Sequence, residues 1–206
     1  GRFGFHTGVT GHGGTAADPF LQGAARSFVP ERDFTCLPAL FRQQGCKTVA
    51  ITPFSERHGA YWFNAGFNEI HNTGKRGGEI ADDVSPIALK WLEENADQDN
   101  WYLHINYWDA HAYYRTPMEY GDPFAGESVP TWIKPEDLER HLKMVGPRGP
   151  LEPGMFNDVI AHGHDGRDMS AQLPRQNGKL LDMNEVRKCI DGYDCGIRYM
   201  DEHLGR

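Results

Sequence analysis

The sequence predicts an α/β fold with a mainly parallel sheet, and three segments carry that prediction. Cys46–Thr52 is a short apolar run rich in β-branched residues, which is typical of a buried strand. Glu79–Asn95 has apolar residues at helical spacing, and Trp101–Tyr107 has the pattern of a second strand. A strand, a helix and a strand within about sixty residues predict two parallel strands joined by a right-handed crossover.

Two weaker elements are predicted on either side of the first strand. Thr35 can cap a short helix over Leu37–Gln44, and Gly45 suits the C-terminal stop of that helix. Gly66–Ile70 is predicted as a second, shorter strand. The longer helix that follows has a single apolar stripe, formed by Val84, Ala88, Trp91 and Leu92.

The C-terminal part of the chain is predicted to be a long irregular segment followed by a long helix. Residues 112–181 are rich in proline and glycine, with one helix expected at Pro135–Met144. So long an irregular segment usually serves binding. Asp182 and Glu185 have the spacing of a capping box. The helix that they start has an apolar stripe that we expect in the core: Val186, Ile190, Tyr193, Ile197, Met200 and Leu204.

Composition and charge exclude several classes of protein. The net charge of −8 argues against general nucleic-acid binding, although a local basic site for a small anion remains compatible with it. None of the four cysteines forms a C-x-x-C pair, so we expect reduced thiols rather than a zinc knuckle. No apolar run reaches transmembrane length, so no membrane partner is expected.

Polar side chains follow each predicted strand, at the edge where ligands bind in parallel sheets. The clusters are Ser55–His58, His71–Arg76 and Trp108–His111. Together they offer fixed cations and imidazoles, which suit an oxyanion site. Each histidine could equally be a solvated loop residue, and Asp109 could either orient an imidazole or cap its loop. The candidate substrate-binding and catalytic residues are Arg57, His58, His71, Lys75, Asp109 and His111.

Four segments resemble the sulfatase family in the same order along the chain. Trp101–His111 resembles an apolar strand followed by Asp-Pro-His-x-Pro-Tyr, with departures at Ala110 and Ala112. Tyr193–Asp201 resembles the sulfatase helix with the pattern Tyr-Asp-x-x-Ile-x-Tyr-x-Asp. The other two segments are Gly1–Val9, which resembles the steps after the nucleophile motif, and Leu37–Ile51, which resembles a helix–Gly–strand unit.

The resemblance implies the three-layer α/β/α sandwich of the alkaline phosphatase-like superfamily. It also implies a formylglycine nucleophile, a calcium ion held by Asp and Asn side chains, and a sulfated small molecule or glycan as substrate. In that family His111 matches a sulfate-binding histidine that protonates the leaving alcohol. His58 matches a histidine that helps to regenerate the aldehyde, and Arg57 lies next to Glu56, which stands at the family's lysine position.

Several motifs of the family pattern are missing from the chain, which predicts that it holds only part of the catalytic site. The chain contains no Cys/Ser-x-Pro-x-Arg motif and no N-terminal Asp-Asp pair, and no Asp-Asn or Asp-His-Gly metal step follows the Trp101–His111 segment. We therefore expect the nucleophile and the calcium ligands outside this chain, and no metal ligand within it. Residues 1–206 are interpreted as one partial catalytic domain with an insertion at about 112–181, inactive by itself.

Two other functions are compatible with the same residues. One is a phosphodiesterase or phosphonate monoester hydrolase on the same fold. The other is a non-catalytic protein that binds sulfated glycans. Family members are often exported, but neither the compartment nor the oligomeric state is predicted by these residues.

Overall fold

A computed structural model describes residues 37–58, 61–64, 66–75, 78–111, 114–144, 150 and 179–206. The predicted cap at Thr35 and the sulfatase-like segment Gly1–Val9 lie outside the described residues. The chain divides into two compact units, Gly1–Asn106 and Tyr107–Arg206, which are called unit one and unit two below.

Unit one is built on a parallel three-stranded sheet, which confirms the predicted α/β class with its parallel strands. The strands are β1 (Lys47–Ile51), β2 (Glu69–His71) and β3 (Trp101–Ile105), in the order β2-β1-β3. Val49 pairs with Glu69 on one side and with Leu103 on the other, and both pairings are parallel. The three carboxyl ends therefore lie at one edge of the sheet.

Strand β1 is the most buried part of the sheet. Val49, Ala50 and Ile51 have no exposed surface, as expected for a central strand covered on both faces. Strand β3 ends at Ile105, two residues before the predicted Tyr107. The chain is still tied to β1 at Asn106, whose N–H donates to the carbonyl of Ile51 at 3.0 Å.

The predicted strand at Gly66–Ile70 is displaced: the structure has β2 at Glu69–His71. Gly66 has a φ of +90°, outside the strand region, and a Cβ there would lie 2.5 Å from the backbone nitrogen of Ala39. The hydroxyl of Thr48 donates to the Gly66 carbonyl at 2.6 Å, and the Asn68 side-chain oxygen accepts from Thr48 N–H at 2.9 Å. The N–H of Thr48 thus bonds to a side chain instead of a strand carbonyl, and regular pairing begins at Glu69.

Three α-helices accompany these strands within the described part of unit one. Helix α1 spans Leu37–Gln43 and is followed by Gly45 with a φ of +85°, which confirms the predicted helix and its stop. Helix α2 is a short element at Phe54–His58. Helix α3 spans Ala81–Asn95, two residues later than the predicted start, and its buried face includes Val84, Ala88 and Trp91.

Two α-helices lie among the residues of unit two that the structure describes. Helix α4 spans Pro135–Leu142, with proline at its first position, and a single 3₁₀ turn lies at Met118–Tyr120. Helix α5 spans Met183–Leu204. Its predicted start is confirmed, because the Asp182 carboxylate accepts from the N–H groups of Asn184 and Glu185 at 2.8 and 2.9 Å. No helix in the described ranges is long and apolar enough to cross a membrane.

The expectation that the apolar stripe of α5 forms core is wrong. Three of its members, Tyr193, Ile197 and Leu204, are 45%, 42% and 64% exposed. The buried face consists instead of Asp191, Gly192, Cys195, Gly196, Tyr199 and His203, among which Tyr199 is the only large apolar side chain. The physical reason is a close backbone approach at Gly196, where a Cβ would lie 2.7 Å from the Asp109 carbonyl oxygen. A larger side chain at that position would hold the two backbones apart.

Candidate functional site

The carboxyl ends of β1 and β3 are joined by a side-chain hydrogen bond in unit one. The hydroxyl of Thr52 donates to the Asn106 side-chain oxygen at 3.0 Å. The same hydroxyl oxygen accepts from the N–H of Phe54 at 3.0 Å, at the start of α2. Thr52 is 1% exposed, so this bond forms in a largely dry environment. It fixes the point at which the polar segment after β1 begins.

The cluster after β1 meets the cluster after β2 through Glu56. The Asn72 amide donates to the Glu56 carboxylate at 2.7 Å, and the Asn72 oxygen accepts from Gly74 N–H at 2.9 Å. Arg57 is half-buried on α2, and its N–H donates to the Pro53 carbonyl. His58 is the last residue of α2. The structure therefore brings together the loops that follow these two neighbouring strands.

His71 is held by a carboxylate on its own strand. Its Nε2 atom lies 3.5 Å from a carboxylate oxygen of Glu69, two residues earlier on the same face. Glu69 also accepts from Lys47 at 2.8 Å and from the Trp91 indole at 3.2 Å. The Lys47 ammonium, above all, lowers the pKa of Glu69, with further help from Trp91 and His71 against the opposing effect of desolvation. The imidazole of His71 thus belongs to a network that also contains α3.

Lys75 is engaged at the start of α3. Its Nζ atom lies 2.5 Å from one carboxylate oxygen of Asp83. The other oxygen of Asp83 accepts from the N–H of Ile80 at 3.1 Å, directly before the helix. This ion pair ties the loop after β2 to the N-terminus of α3. An anionic substrate would compete with Asp83 for Lys75.

Two of the predicted site residues lie in unit two, at the start of its chain. Asp109 has no exposed surface, whereas His111 is exposed. The His111 ring packs edge-to-face on the indole of Trp108, with ring centroids 5.2 Å apart. The N–H of His111 donates to the Trp108 carbonyl at 2.9 Å, which closes a turn around Asp109. An exposed imidazole beside a buried carboxylate can meet a solute, while Asp109 is placed to anchor the loop.

Several polar residues near this loop were not recognised from the sequence. Arg115 and Thr116 follow the loop and are 4% and 1% exposed, although they lie in a segment expected to be irregular. Asp191 on α5 is also buried, and desolvation raises its pKa against the lowering effect of Arg187. The signal that could have found Asp191 is its spacing of four from Arg187, since an i,i+4 pair faces one side of a helix.

Two tyrosines connect the irregular segment of unit two to α5. The Tyr120 hydroxyl donates to Glu202 at 2.6 Å, and desolvation together with this bond raises the pKa of Tyr120 to about 12. Burial is also the main cause of the raised pKa of Tyr114, whose hydroxyl lies 3.8 Å from the sulfur of Cys189. Both hydroxyls are therefore protonated at neutral pH and act as structural hydrogen-bonding groups.

A histidine outside the candidate site has a structural role. His104 lies within β3 and packs against Phe63 and Phe67, with ring centroids 5.6 and 6.1 Å away. Burial lowers the pKa of His104, so its imidazole is neutral at physiological pH. His104 therefore packs on a face of the sheet.

Metal-ligand side chains do not cluster in the part of the chain that the structure describes. In it, no group of three or more His, Cys, Asp or Glu residues could hold a metal ion.

Comparison with known proteins does not add a family. The chain has no significant match to a family model, a curated protein or a solved structure.

Proposed function

We propose that this chain is part of a sulfuric ester hydrolase that cleaves sulfate esters of carbohydrates, on an alkaline phosphatase-like α/β/α sandwich. The observation that carries the proposal is the segment Trp101–His111. It joins a parallel strand to a buried Asp109 and an exposed His111, and its sequence resembles the sulfatase pattern. The parallel β2-β1-β3 sheet is compatible with the proposed sandwich.

In the proposal, His111 is the residue that acts directly on the substrate. Its exposed imidazole can donate a proton to the oxygen of the departing alcohol as the S–O bond breaks. It can also hydrogen-bond a sulfuryl oxygen, and either role lowers the energy of an anionic transition state. Imidazole is suited to both roles because its ordinary pKa lies near neutral pH.

The other predicted residues have supporting roles in this proposal. Arg57, the residue after Glu56 on α2, supplies a fixed positive charge, and His58 assists the nucleophile. His71 and Lys75 contribute less, because Glu69 and Asp83 already hold them. Asp109 is fully buried, so its role is to hold the loop rather than to touch the substrate. In this proposal, none of the described residues carries the formylglycine or binds the calcium ion.

The test compares two histidine variants in the full-length enzyme. His111→Ala should lower kcat/KM for an aryl sulfate and for a sulfated monosaccharide by about 100-fold, as for loss of a proton donor or oxyanion contact. His141→Ala is the matched control, because His141 is an exposed histidine on α4 in the same unit. An unchanged rate for His111→Ala would remove His111 from the site.

The same assay separates the alternative functions. A wild-type enzyme that hydrolyses a phosphate diester or phosphonate ester faster than the sulfate esters would be a phosphodiesterase of the same fold. Binding of the sulfated sugar without any hydrolysis would indicate a glycan-binding protein. Either result would replace the sulfatase proposal.

A further inference from the structure

Helix α5 approaches the loop that contains Asp109 and Ala110 at a distance that only glycine allows. A Cβ on Gly196 would lie 2.7 Å from the Asp109 carbonyl oxygen and 2.9 Å from both the nitrogen and the Cα of Ala110. All three atoms are backbone atoms, so a larger side chain could not be accommodated by a rotamer change. The loop would have to move away from the helix.

The loop has few ways to absorb such a movement locally. Asp109 is fully buried and Trp108 is 6% exposed, so neither side chain can move freely into solvent. The bond from His111 N–H to the Trp108 carbonyl closes the turn between these anchors. A displacement at Asp109 is therefore transmitted to both ends of the turn, because packed interiors yield very little.

The ring of His111 takes its position from the same turn. It lies 5.2 Å from the indole of Trp108 at an interplanar angle of 62°, which is a favourable edge-to-face arrangement. His111 is exposed as a residue, and the Trp108 indole is a wall against which its imidazole packs. The orientation of His111 then depends on where α5 holds the loop.

We propose that Gly196 and Trp108 are positioning residues for His111. Gly196 sets the depth at which the loop lies on α5, and Trp108 sets the orientation of the imidazole above it. The catalytic meaning of this assignment rests on the proposed function, in which His111 donates a proton to the leaving group. A misplacement of about 1 Å in such a group costs about 100-fold in rate.

The first measurement needs no activity. The C–H resonances of the His111 ring are followed by NMR in the full chain, in wild type and in the variants Gly196→Ala, Trp108→Leu and Trp108→Phe. The indole shifts these resonances through its ring current, so Trp108→Leu should move them most and Gly196→Ala should also move them. Gly126→Ala is the matched control, because a Cβ at Gly126 meets no atom within 4 Å. Unchanged resonances in a folded Gly196→Ala and in Trp108→Leu would overturn the proposal.

The second measurement uses the active full-length enzyme. Gly196→Ala and Trp108→Leu should lower kcat by about 10-fold to 100-fold while KM changes little, since the substrate's binding contacts are kept. Trp108→Phe, which retains an aromatic ring, should recover most of the loss. Altered resonances with an unchanged kcat would overturn the catalytic role, whereas altered resonances in a protein without sulfatase activity would leave the positioning intact and reject the proposed function. If Gly196→Ala does not fold, the two Trp108 variants still decide between these outcomes.

Discussion

Strand β1 of unit one and helix α5 of unit two show opposite relations between apolar pattern and burial. In β1 the apolar residues Val49 and Ile51 are completely buried. In α5 the apolar residues Ile197 and Leu204 are 42% and 64% exposed, while the polar Asp191 is buried. A central strand is covered on both faces, so its apolar residues have no exposed alternative. A helix has several faces, and its periodicity does not say which face the neighbouring backbone can approach.

The largest expected effect compares isoleucines in the two elements. Ile51→Ala should reduce the free energy of unfolding by about 3 kcal/mol, because it leaves a cavity in a fully buried strand. Ile197→Ala should change it by less than about 1 kcal/mol, because the side chain is 42% exposed and alanine is a better helix former. Urea denaturation of both variants measures the difference. Equal losses would mean that the stripe of α5 is covered after all.

Close backbone approaches at two glycines extend the comparison. Gly66→Ala should destabilise unit one by about 2 kcal/mol or more, because it combines a φ of +90° with a Cβ 2.5 Å from the Ala39 nitrogen. Gly45→Ala is the control: its φ is +85°, but a Cβ there meets nothing within 4 Å. In Gly45→Ala the free energy of unfolding should fall by about 1 kcal/mol, from backbone strain alone. The two stabilities, measured by chemical denaturation, should therefore differ. Equal losses would show that contact with Ala39 is not limiting.

The contribution of the buried Asp191 on α5 to the free energy of unfolding should increase as pH falls, whereas that of a carboxylate in an ordinary ion pair decreases. Desolvation raises the pKa of Asp191 above the usual 3.8, so the folded state takes up its proton first as pH falls. Folding is therefore disfavoured above the raised pKa and gains stability as pH falls through it. Asp191→Asn should raise stability at pH 7 by up to about 1 kcal/mol, and the gain should disappear in acid. A loss of stability at pH 7 would show that the charge pair with Arg187 dominates.

The smallest expected effect on stability comes from Glu69 in unit one. Its pH dependence has the opposite sign to that of Asp191. The pKa of Glu69 is lowered from 4.5, mainly by the hydrogen bond from Lys47. Its ionised form therefore stabilises the fold above that ordinary value, and this contribution is lost as pH falls through the lowered pKa. Glu69→Gln should cost no more than about 0.5 kcal/mol at pH 7, since the site is partly exposed and screened. The difference between the variant and wild type, measured by thermal melting, should close in acid. A difference that persists there would assign the effect to packing.

The elements were predictable where local signals agree with one another. Cys46–Thr52 contains β-branched residues ended by a proline, and the strand lies within two residues of those bounds. Asp182 precedes a long periodic segment, and it caps α5 as expected. The start of β2 was missed, because Gly66 adopts its left-handed conformation only in contact with Ala39, a residue 27 positions away in the chain.

The sequence predicted which types of residue lie in the candidate site. It predicted less well which of these residues contact each other. The positions after the strands predicted that the clusters Ser55–His58 and His71–Arg76 share an edge of the sheet, and the hydrogen bond between Asn72 and Glu56 joins these two clusters. The carboxylate partners of His71 and Lys75 were not evident. Glu69 is two residues from His71 and Asp83 eight from Lys75, and only the folded backbone sets the direction of each side chain.

By itself, the sequence determined the α/β class, the buried strand β1, the positions of the four longer helices and the capped start of α5, since short-range propensities and periodicities encode all of these. It also determined which residue types follow each strand. The tertiary structure alone decided which face of α5 is buried, that Gly196 lies against the Asp109 loop, and that His111 is exposed on Trp108. These depend on how closely two distant backbones can approach, and no local pattern records that distance.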